Sequence, residues 1–239
     1  MTVRVLYNFI LVRLGLRKIL PAVIVNRKTV RRQEDETPFV HSLDDNIMYA
    51  DTIESRFARK EVIKRLEEAA DSAHQEHGLK FLVYELYRSP EKQEKLRERD
   101  RNEIMQLHPD LSEEQLQSAL NKISAGVGGS GHQVGAAVDL TLCDAHGNPL
   151  DMGTSYLEHI AKTATHCKHI SKEQRHNRQI LFDAMRNVGF ANYPGEWWHY
   201  CYGDRMWAAY KHKRYAIYGD SPNTLPSVDR TDGSEGMIE

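Results

Sequence analysis

The sequence predicts an α+β fold in which a small, mainly antiparallel sheet is flanked by helices. Residues 55–77 repeat apolar side chains every three to four positions, which is typical of an amphipathic helix. Residues 80–87 and 136–142 are short runs of β-branched, aromatic and other apolar side chains, which indicates buried strands. The turn dipeptide Pro194-Gly195 separates two further short runs and indicates a hairpin-like pair. Helices gathered around a few strands favour the α+β class.

Capping residues predict where the helices begin and end. Gly78 ends the first helix, and Ser89 followed by Pro90 begins a second one, which runs through about residue 101. Two capping boxes, a serine followed three positions later by glutamine, open further helices at Ser112 and Ser171.

Residues 155–188 are expected to be mostly helical, with Gly189 as the C-cap. Four glycines within residues 126–131 predict a loop that lets the backbone approach a site closely. Residues 144–148 form the turn after the strand at 136–142, and residues 190–193 and 196–202 form the hairpin-like pair.

The chain divides into an N-terminal extension (1–40), a main folded domain (41–219) that carries the candidate site, and a polar tail expected to be disordered (220–239). Residues 2–25 are apolar but interrupted by arginine and lysine, so no uncharged run reaches the roughly 18 residues of a membrane span. A helix that packs on the domain is favoured. A signal or anchor, and a basic helix contacting a membrane surface, are the alternatives.

The composition argues against a nucleic-acid-binding protein. The 239 residues carry 32 Lys and Arg against 34 Asp and Glu, so no overall basic field attracts nucleic acid. Three cysteines, Cys143, Cys167 and Cys201, are too few for a disulfide framework and indicate reduced thiols. With the missing signal pattern, they predict a cytoplasmic protein, with membrane association or export as the alternatives. A thiolate metal ligand from Cys143 or Cys201 is also an alternative, although neither belongs to a paired cysteine motif.

Two short motifs carry the candidate chemistry. His132 is followed seven positions later by Asp139, and Glu196 precedes His199 by three. Two imidazoles and one carboxylate are ligands that suit Zn²⁺, and a catalytic zinc site keeps a fourth position open for water. Glu196 is then left over as a base. A lone histidine at such a place is more often structural, but the combination predicts a zinc-dependent peptidase.

The second motif raises a geometrical question. On a regular strand, a spacing of three would point Glu196 and His199 to opposite faces of the sheet. Because Pro194-Gly195 immediately precede Glu196, a glutamate carried by a loop is favoured. An ion pair with a nearby cation is the alternative interpretation of Glu196. Strand alternation further predicts that one of the adjacent residues Trp197 and Trp198 lies in the core and the other lines a cleft.

Arg88 ends the strand predicted at 80–87, where a guanidinium can hold a substrate carboxylate or stabilise oxyanion charge. An ordinary surface ion pair is the alternative. The histidines at 159, 166, 169, 176 and 212 have no accompanying carboxylate or cysteine pattern and are predicted to be solvated.

At these residues the chain resembles the M15 zinc D,D-peptidases, within a wider fold group that includes lysostaphin-type peptidases and the hedgehog signalling domain. The pattern Ser-x-His-x-x-Gly-x-Ala-x-Asp is matched in full by residues 130–139, and Glu-x-x-His is matched by residues 196–199. Further similarity at residues 139–142, 150–153, 177–178 and 187–190 is to the D-alanyl-D-alanine dipeptidase (VanX-type) branch. The resemblance covers about residues 50–203.

The resemblance implies that His132, Asp139 and His199 bind one zinc ion per chain and that Glu196 is the general acid/base. It also implies that Arg88 polarises the scissile carbonyl and that Ser130 lines the substrate site.

Two positions depart from the family pattern. Glu85 stands three residues before Arg88, where the family usually has an aspartate or a small residue. Dipeptidase members also carry an aspartate that holds the substrate ammonium, and here that place reads Tyr156-Leu157-Glu158. Either Glu158 takes this role with a one-residue shift, or the preference for a free dipeptide is relaxed.

The function predicted in this way is zinc-dependent hydrolysis of D-Ala-D-Ala or a related small dipeptide. The first alternative is a D,D-carboxypeptidase or endopeptidase that acts on peptidoglycan stem peptides. A zinc-stabilised binding module without activity is the second, and the presence of Glu196 argues against it.

Overall fold

The computed structural model describes residues 39–123, 125–126, 129–158 and 160–219. The predictions for the N-terminal helix and connector, for the C-terminal tail and for the histidine at 159 lie outside the described residues. The proposed domain boundaries at 40 and 219 stay predictions.

A five-stranded sheet forms the centre of the fold, and a two-stranded sheet lies beside it. The strands are β1 (Phe39–Val40), β2 (Ile47–Tyr49), β3 (Ala58–Arg59), β4 (Lys80–Glu85), β5 (Ala137–Cys143), β6 (Ala191–Asn192) and β7 (His199–Cys201). The larger sheet has the order β2-β4-β5-β7-β6, and every pairing in it is antiparallel except that of β2 with β4. Strands β1 and β3 form the smaller antiparallel pair. The predicted α+β class with a mainly antiparallel sheet is therefore confirmed.

Five α-helices and one short 3₁₀ helix are found among the described residues. They are α1 (Lys60–His77), α2 (Pro90–Leu107), α3 (Glu113–Ile123), the 3₁₀ helix (Ala161–Thr163), α4 (Lys172–Asn187) and α5 (Arg205–Tyr210). Helix α1 starts later than predicted because residues 58–59 pair with β1.

The predicted N-caps are present, whereas the cap at the end of α4 falls one residue before the predicted Gly189. The Ser89 hydroxyl accepts a hydrogen bond from the Lys92 amide at the start of α2. Ser112 and Ser171 each form a reciprocal capping box with the glutamine three residues later. At the end of α4, Val188 is the cap residue, and Gly189 follows it with a φ of 98°, which glycine adopts without steric cost.

The hydrophobic core lies between the sheet and helices α1 and α4, which pack against each other. Helix α1 buries Val62, Ile63 and Leu66 on one face. Strand β5 is the middle strand of the larger sheet, and all seven of its residues are buried. A side chain on β5 is therefore held on every side, which fixes the position of any functional group that the strand carries.

The prediction that residues 155–188 are mostly helical is wrong for its first half. Among the described residues from 155 to 171, the short 3₁₀ helix is the one helical element, and α4 begins at residue 172. The buried Arg178 of α4 holds this segment by donating to three backbone carbonyls, those of Met152 at 2.7 Å, Lys162 at 2.8 Å and Ala164 at 2.7 Å. A carbonyl that is paired with a guanidinium does not need a helical partner, so tertiary hydrogen bonds replace helix here.

No helix among the described residues is both long enough and apolar enough to cross a membrane.

We predict that Arg178→Met lowers the free energy of unfolding by about 3 kcal/mol or more, because buried carbonyls left unpaired cost about 1–3 kcal/mol each. Chemical denaturation of the metal-free protein measures the change. Arg101→Met is the matched control, since the ion pair of Arg101 with Glu113 at 2.9 Å is exposed and its loss should cost less than about 1 kcal/mol. Equal losses in the two variants would contradict this role of Arg178.

Candidate metal centre

The structure brings His132, Asp139 and His199 together at one point. Asp139 of β5 stands directly opposite His199 of β7 in the antiparallel register, so the two side chains share one face of the sheet. His132 comes from the turn that precedes β5. Oδ1 of Asp139 lies 2.8 Å from Nδ1 of His199 and 3.3 Å from Nε2 of His132, and the two ring nitrogens are 3.3 Å apart.

These three atoms fit a tetrahedral zinc ion. An ion with bonds of about 2.0–2.1 Å separates neighbouring tetrahedral ligands by about 3.3 Å, which matches two of the three distances. The remaining ring nitrogen of His132, Nδ1, lies 2.7 Å from the carbonyl oxygen of Leu86, so it is the protonated donor there. That bond leaves Nε2 unprotonated and aimed at the cluster, as in known metal-bound histidines.

The turn that carries His132 depends on a glycine and a serine. The Ser130 hydroxyl accepts a hydrogen bond from the His132 amide at 3.2 Å. Gly135 has a φ of +67°, and a Cβ atom added to it would meet the Phe39 ring at 2.2 Å. Only glycine fits there. The buried Arg59 also holds the turn, since its Nε donates to the carbonyl of Val134 at 2.9 Å.

The charge of Asp139 follows from the groups around it. Burial on its own would raise the pKa of the Asp139 carboxyl, but the imidazoles of His132 and His199 lower it below its usual range. Asp139 is therefore a carboxylate, the form that binds a cation.

Glu196 lies in the loop between β6 and β7, three residues before His199, as expected from Pro194-Gly195. Because residue 196 lies outside the strand, the strand alternation that would point Glu196 and His199 to opposite faces of the sheet does not apply. The residue keeps part of its surface accessible to solvent, yet burial raises the pKa of its carboxyl from 4.5 to about 7. Asp139 and Glu196 thus have pKa values shifted in opposite directions.

The prediction for Trp197 and Trp198 is wrong, because both side chains are buried in the core. Residues 197–198 form a turn before β7 begins, so strand alternation does not apply to them. The indole nitrogen of Trp197 donates to the Thr154 hydroxyl at 2.8 Å, which ties this turn to the irregular segment before α4.

Arg88 follows the end of β4 and belongs to a buried charge network. Its Nε donates to Oε2 of Glu85 at 2.9 Å, Nη2 contacts the same oxygen, and Nη1 donates to Oε1 of Gln93 at 2.9 Å. Lys92 lies 2.8 Å from the other oxygen of Glu85. Nη2 of Arg88 comes within 3.8 Å of Oδ2 of Asp139, so the guanidinium borders the cluster and is not a surface ion pair.

Sequence reasoning assigned no role to Tyr156, and it treated Glu85 only as a departure from the family pattern. The Tyr156 hydroxyl donates to Oδ2 of Asp139 at 3.0 Å and lies 3.5 Å from Oε2 of Glu85. The sequence signal for Tyr156 was its position in the stretch where the dipeptidases carry an ammonium-binding aspartate. The spacing of three between Glu85 and Arg88 was the signal for that pair.

The two predicted substrate residues occupy different settings. Ser130 is buried and its hydroxyl orients the turn of His132. Glu158 is exposed, and its Oε2 accepts a hydrogen bond from the Ser155 amide at 2.9 Å within a local turn. Their roles toward substrate stay predictions.

The remaining histidines and cysteines stand apart from the cluster. The histidines at 166, 169, 176 and 212 are exposed, in agreement with the prediction. The three cysteines are free and buried. Burial raises the pKa values of the Cys143 and Cys201 thiols, which disfavours the thiolate form.

In a comparison with protein families, the M15 peptidase family model described as "D-ala-D-ala dipeptidase" matches residues 40–217. A D-alanyl-D-alanine dipeptidase of Synechocystis is 32% identical over 105 residues, which is 37% of this chain and 42% of the relative. One from Escherichia coli is 39% identical over 72 residues, 30% of this chain and 37% of the relative. The matches span about two fifths of the length of these curated relatives.

Solved structures that align with part of this chain include D,D- and L,D-peptidases. A mutant of the vancomycin resistance D,D-pentapeptidase VanY in complex with Zn(II) is 19% identical, with a TM-score of 0.47 over 79% of this chain and 90% of that one. VanYB in complex with D-alanine-D-alanine is 16% identical, with a TM-score of 0.48 over 78% and 92%. The LD-carboxypeptidase LdcB is 18% identical, with a TM-score of 0.46 over 77% and 78%.

The raised pKa of Glu196 predicts a pH-dependent stability for the metal-free protein. A carboxyl that binds its proton more tightly when folded loses stability as the pH rises from 4.5 to about 7. Glutamine does not titrate, so Glu196→Gln should gain about 3 kcal/mol relative to the unaltered protein across that range. Denaturant unfolding at a series of pH values measures the difference.

Asp144→Asn is a control of opposite sign. Hydrogen bonds from Asn148 lower the pKa of the Asp144 carboxyl, so the unaltered protein should gain stability relative to this variant as the carboxyl ionises. A difference between Glu196→Gln and the unaltered protein that is constant with pH would show that Glu196 titrates normally.

Proposed function

Because this chain belongs to the M15 family of metallopeptidases, whose model matches residues 40–217, we propose that it is a zinc-dependent peptidase that hydrolyses D-Ala-D-Ala or a related small dipeptide. The observation that carries the proposal is the meeting of two imidazoles and one carboxylate from separate segments, with a second carboxyl of raised pKa nearby. The matched relatives named D-alanyl-D-alanine dipeptidase support the choice of substrate.

In this proposal His132, Asp139 and His199 hold one zinc ion per chain. Their donor atoms are two imidazole nitrogens and one carboxylate oxygen, the set found in catalytic zinc sites that keep one position open. When bound, zinc supplies a Lewis acid that acidifies a water molecule and polarises the substrate carbonyl. The hydrogen bond from Nδ1 of His132 to Leu86 fixes the ring orientation that such binding needs.

Glu196 is the proposed general acid/base. It accepts a proton from the attacking water and later donates it to the leaving amine, so it must exchange a proton near neutral pH. A pKa near 7 without metal suits this exchange. The Glu196 side chain is carried by a short loop and not by a strand, so it can face the same side as His199.

Arg88 is the proposed electrophilic group. As negative charge develops on the carbonyl oxygen, a fixed guanidinium stabilises it without having to reorganise. Hydrogen bonds to Glu85 and Gln93 hold the Arg88 side chain in one orientation before substrate binds. Burial lowers the pKa of a guanidinium, but Glu85 and Asp139 raise that of Arg88, so it stays charged.

The proposal assigns substrate contacts to Ser130 and Glu158, with Glu158 binding the ammonium of a free dipeptide. Glu158 is exposed, and its Oε2 accepts a hydrogen bond from the Ser155 amide. The alternative function is a D,D-carboxypeptidase or endopeptidase acting on peptidoglycan stem peptides, which present no free ammonium at that point. A cytoplasmic location is proposed for the dipeptidase.

We predict that Glu196→Gln retains zinc but hydrolyses D-Ala-D-Ala at least about 100-fold more slowly, because general acid/base catalysis contributes roughly 10²–10⁴-fold. Released D-alanine measures turnover, and metal analysis measures zinc content. Glu68→Gln, at an exposed position on α1, is the matched control and should match the unaltered protein. A chelator should abolish activity reversibly, and full activity in Glu196→Gln would exclude this mechanism.

We also predict that Glu158→Gln raises KM for free dipeptide about tenfold or more while leaving KM for an N-blocked peptide unchanged, since only the free dipeptide offers an ammonium to pair with a carboxylate. Steady-state kinetics on the two substrates give the comparison, again with Glu68→Gln as control. An equal effect on both substrates, or none on either, would remove Glu158 as the ammonium anchor. A preference for pentapeptide over dipeptide in the unaltered protein would favour the stem-peptide alternative.

A further inference from the structure

The two oxygens of Asp139 have different partners. Oδ1 lies between the ring nitrogens of His132 and His199, at 3.3 and 2.8 Å. Oδ2 points away from them and accepts a hydrogen bond from the Tyr156 hydroxyl at 3.0 Å. Arg88 approaches Oδ2 only to 3.8 Å, which is beyond hydrogen-bonding distance. The carboxylate is thus oriented at one oxygen by the phenol while the other faces the cluster.

The Tyr156 ring is held firmly enough to orient its neighbour. It stacks on Tyr84 with ring centroids 4.4 Å apart and an interplanar angle of 11°. The Trp198 ring meets it edge-on at 5.6 Å. One stacked and one edge-on aromatic contact restrict the ring, which holds the hydroxyl in place.

The backbone beneath Tyr156 is also anchored. Arg178 donates to the carbonyl of Met152, and Trp197 donates to the hydroxyl of Thr154, on the residues just before it. These bonds run from α4 and from the loop before His199 to one short irregular segment. Tyr156 therefore keeps its place relative to α4 and to the loop that precedes His199.

The phenol is the donor in this bond, because an ionised carboxylate can only accept a hydrogen bond. A protonated phenol donates its single hydrogen to Oδ2, and an oxygen that accepts such a bond is a poorer metal ligand than its free partner. The phenol also lies 3.5 Å from Glu85, which links this bond to the network that holds Arg88.

We propose that Tyr156 is a positioning residue that holds Asp139 with a single oxygen, Oδ1, directed to the metal. The inference rests on the proposed function, since it concerns the same metal centre. Without the phenol, the carboxylate is free to turn about its last bond and present both oxygens, and both the affinity and the coordination number of the site change.

Tyr156→Phe tests this, because it removes the hydroxyl and keeps the ring that stacks on Tyr84. Partners that orient a metal ligand contribute about 10–100-fold to metal affinity. We expect zinc affinity, measured by competition with a chelator, to fall by about that factor. In the cobalt-substituted protein we expect weaker visible absorption, because a second carboxylate oxygen raises the coordination number above four.

Tyr84→Phe is the matched control. It removes a hydroxyl from the other member of the same stacked pair, and among the described residues no hydrogen bond joins that hydroxyl to Asp139. Its zinc affinity and cobalt spectrum should equal those of the unaltered protein. Equal affinity and equal spectra for Tyr156→Phe and the unaltered protein would overturn the inference.

A measurement that needs no variant covers the case in which Tyr156→Phe does not fold. In a crystal structure of the unaltered protein loaded with zinc, we expect Oδ2 of Asp139 to remain within hydrogen-bonding distance of Tyr156. Both oxygens of Asp139 bonded to the ion would overturn the inference while leaving the proposed function intact. Failure of the unaltered protein to bind zinc would instead refute the proposed function itself.

Discussion

The fold is organised around one buried carboxylate. Asp139 lies in the middle strand of the sheet, where an unpaired charge would cost several kcal/mol, so its partners are part of what makes the structure stable. They come from the turn before β5, from β7 and from the irregular segment before α4. The register that sets Asp139 opposite His199 determines all of this geometry, and a shift of one residue would turn the two side chains to different faces.

Asp139 and Glu196 show how two carboxyl groups in one small region acquire different chemistry. Asp139 is surrounded by imidazoles and a phenol that favour its ionised form. Burial favours the neutral form of Glu196 more strongly than His199 favours its ionised form. One group is therefore suited to hold a cation and the other to exchange a proton, a separation of roles that arises from environment and not from residue type.

The sequence predicted what depends on local chemistry. Helix caps such as the box at Ser171 involve residues three apart, and the motif residues His132 and Asp139 sit within one turn and strand. Predictions failed where distant contacts override local preference. The segment at 155–171 is mostly not helical because Arg178 donates hydrogen bonds to its carbonyls. Trp197 and Trp198 are both buried because they lie in a turn and not in a strand. The contact of Tyr156 with Asp139 joins two separate segments of the chain, so neither hydrophobic periodicity nor motif spacing could predict it.

The wide separation of His132 and His199 along the chain has a consequence for biosynthesis. A ribosome releases the turn of His132 and the strand of Asp139 well before β7, so a growing chain offers only two of the three donor atoms until β7 has emerged. Two donors on a flexible chain hold a divalent ion weakly. The complete donor set of the proposed metal site therefore forms only when β7 has joined the sheet.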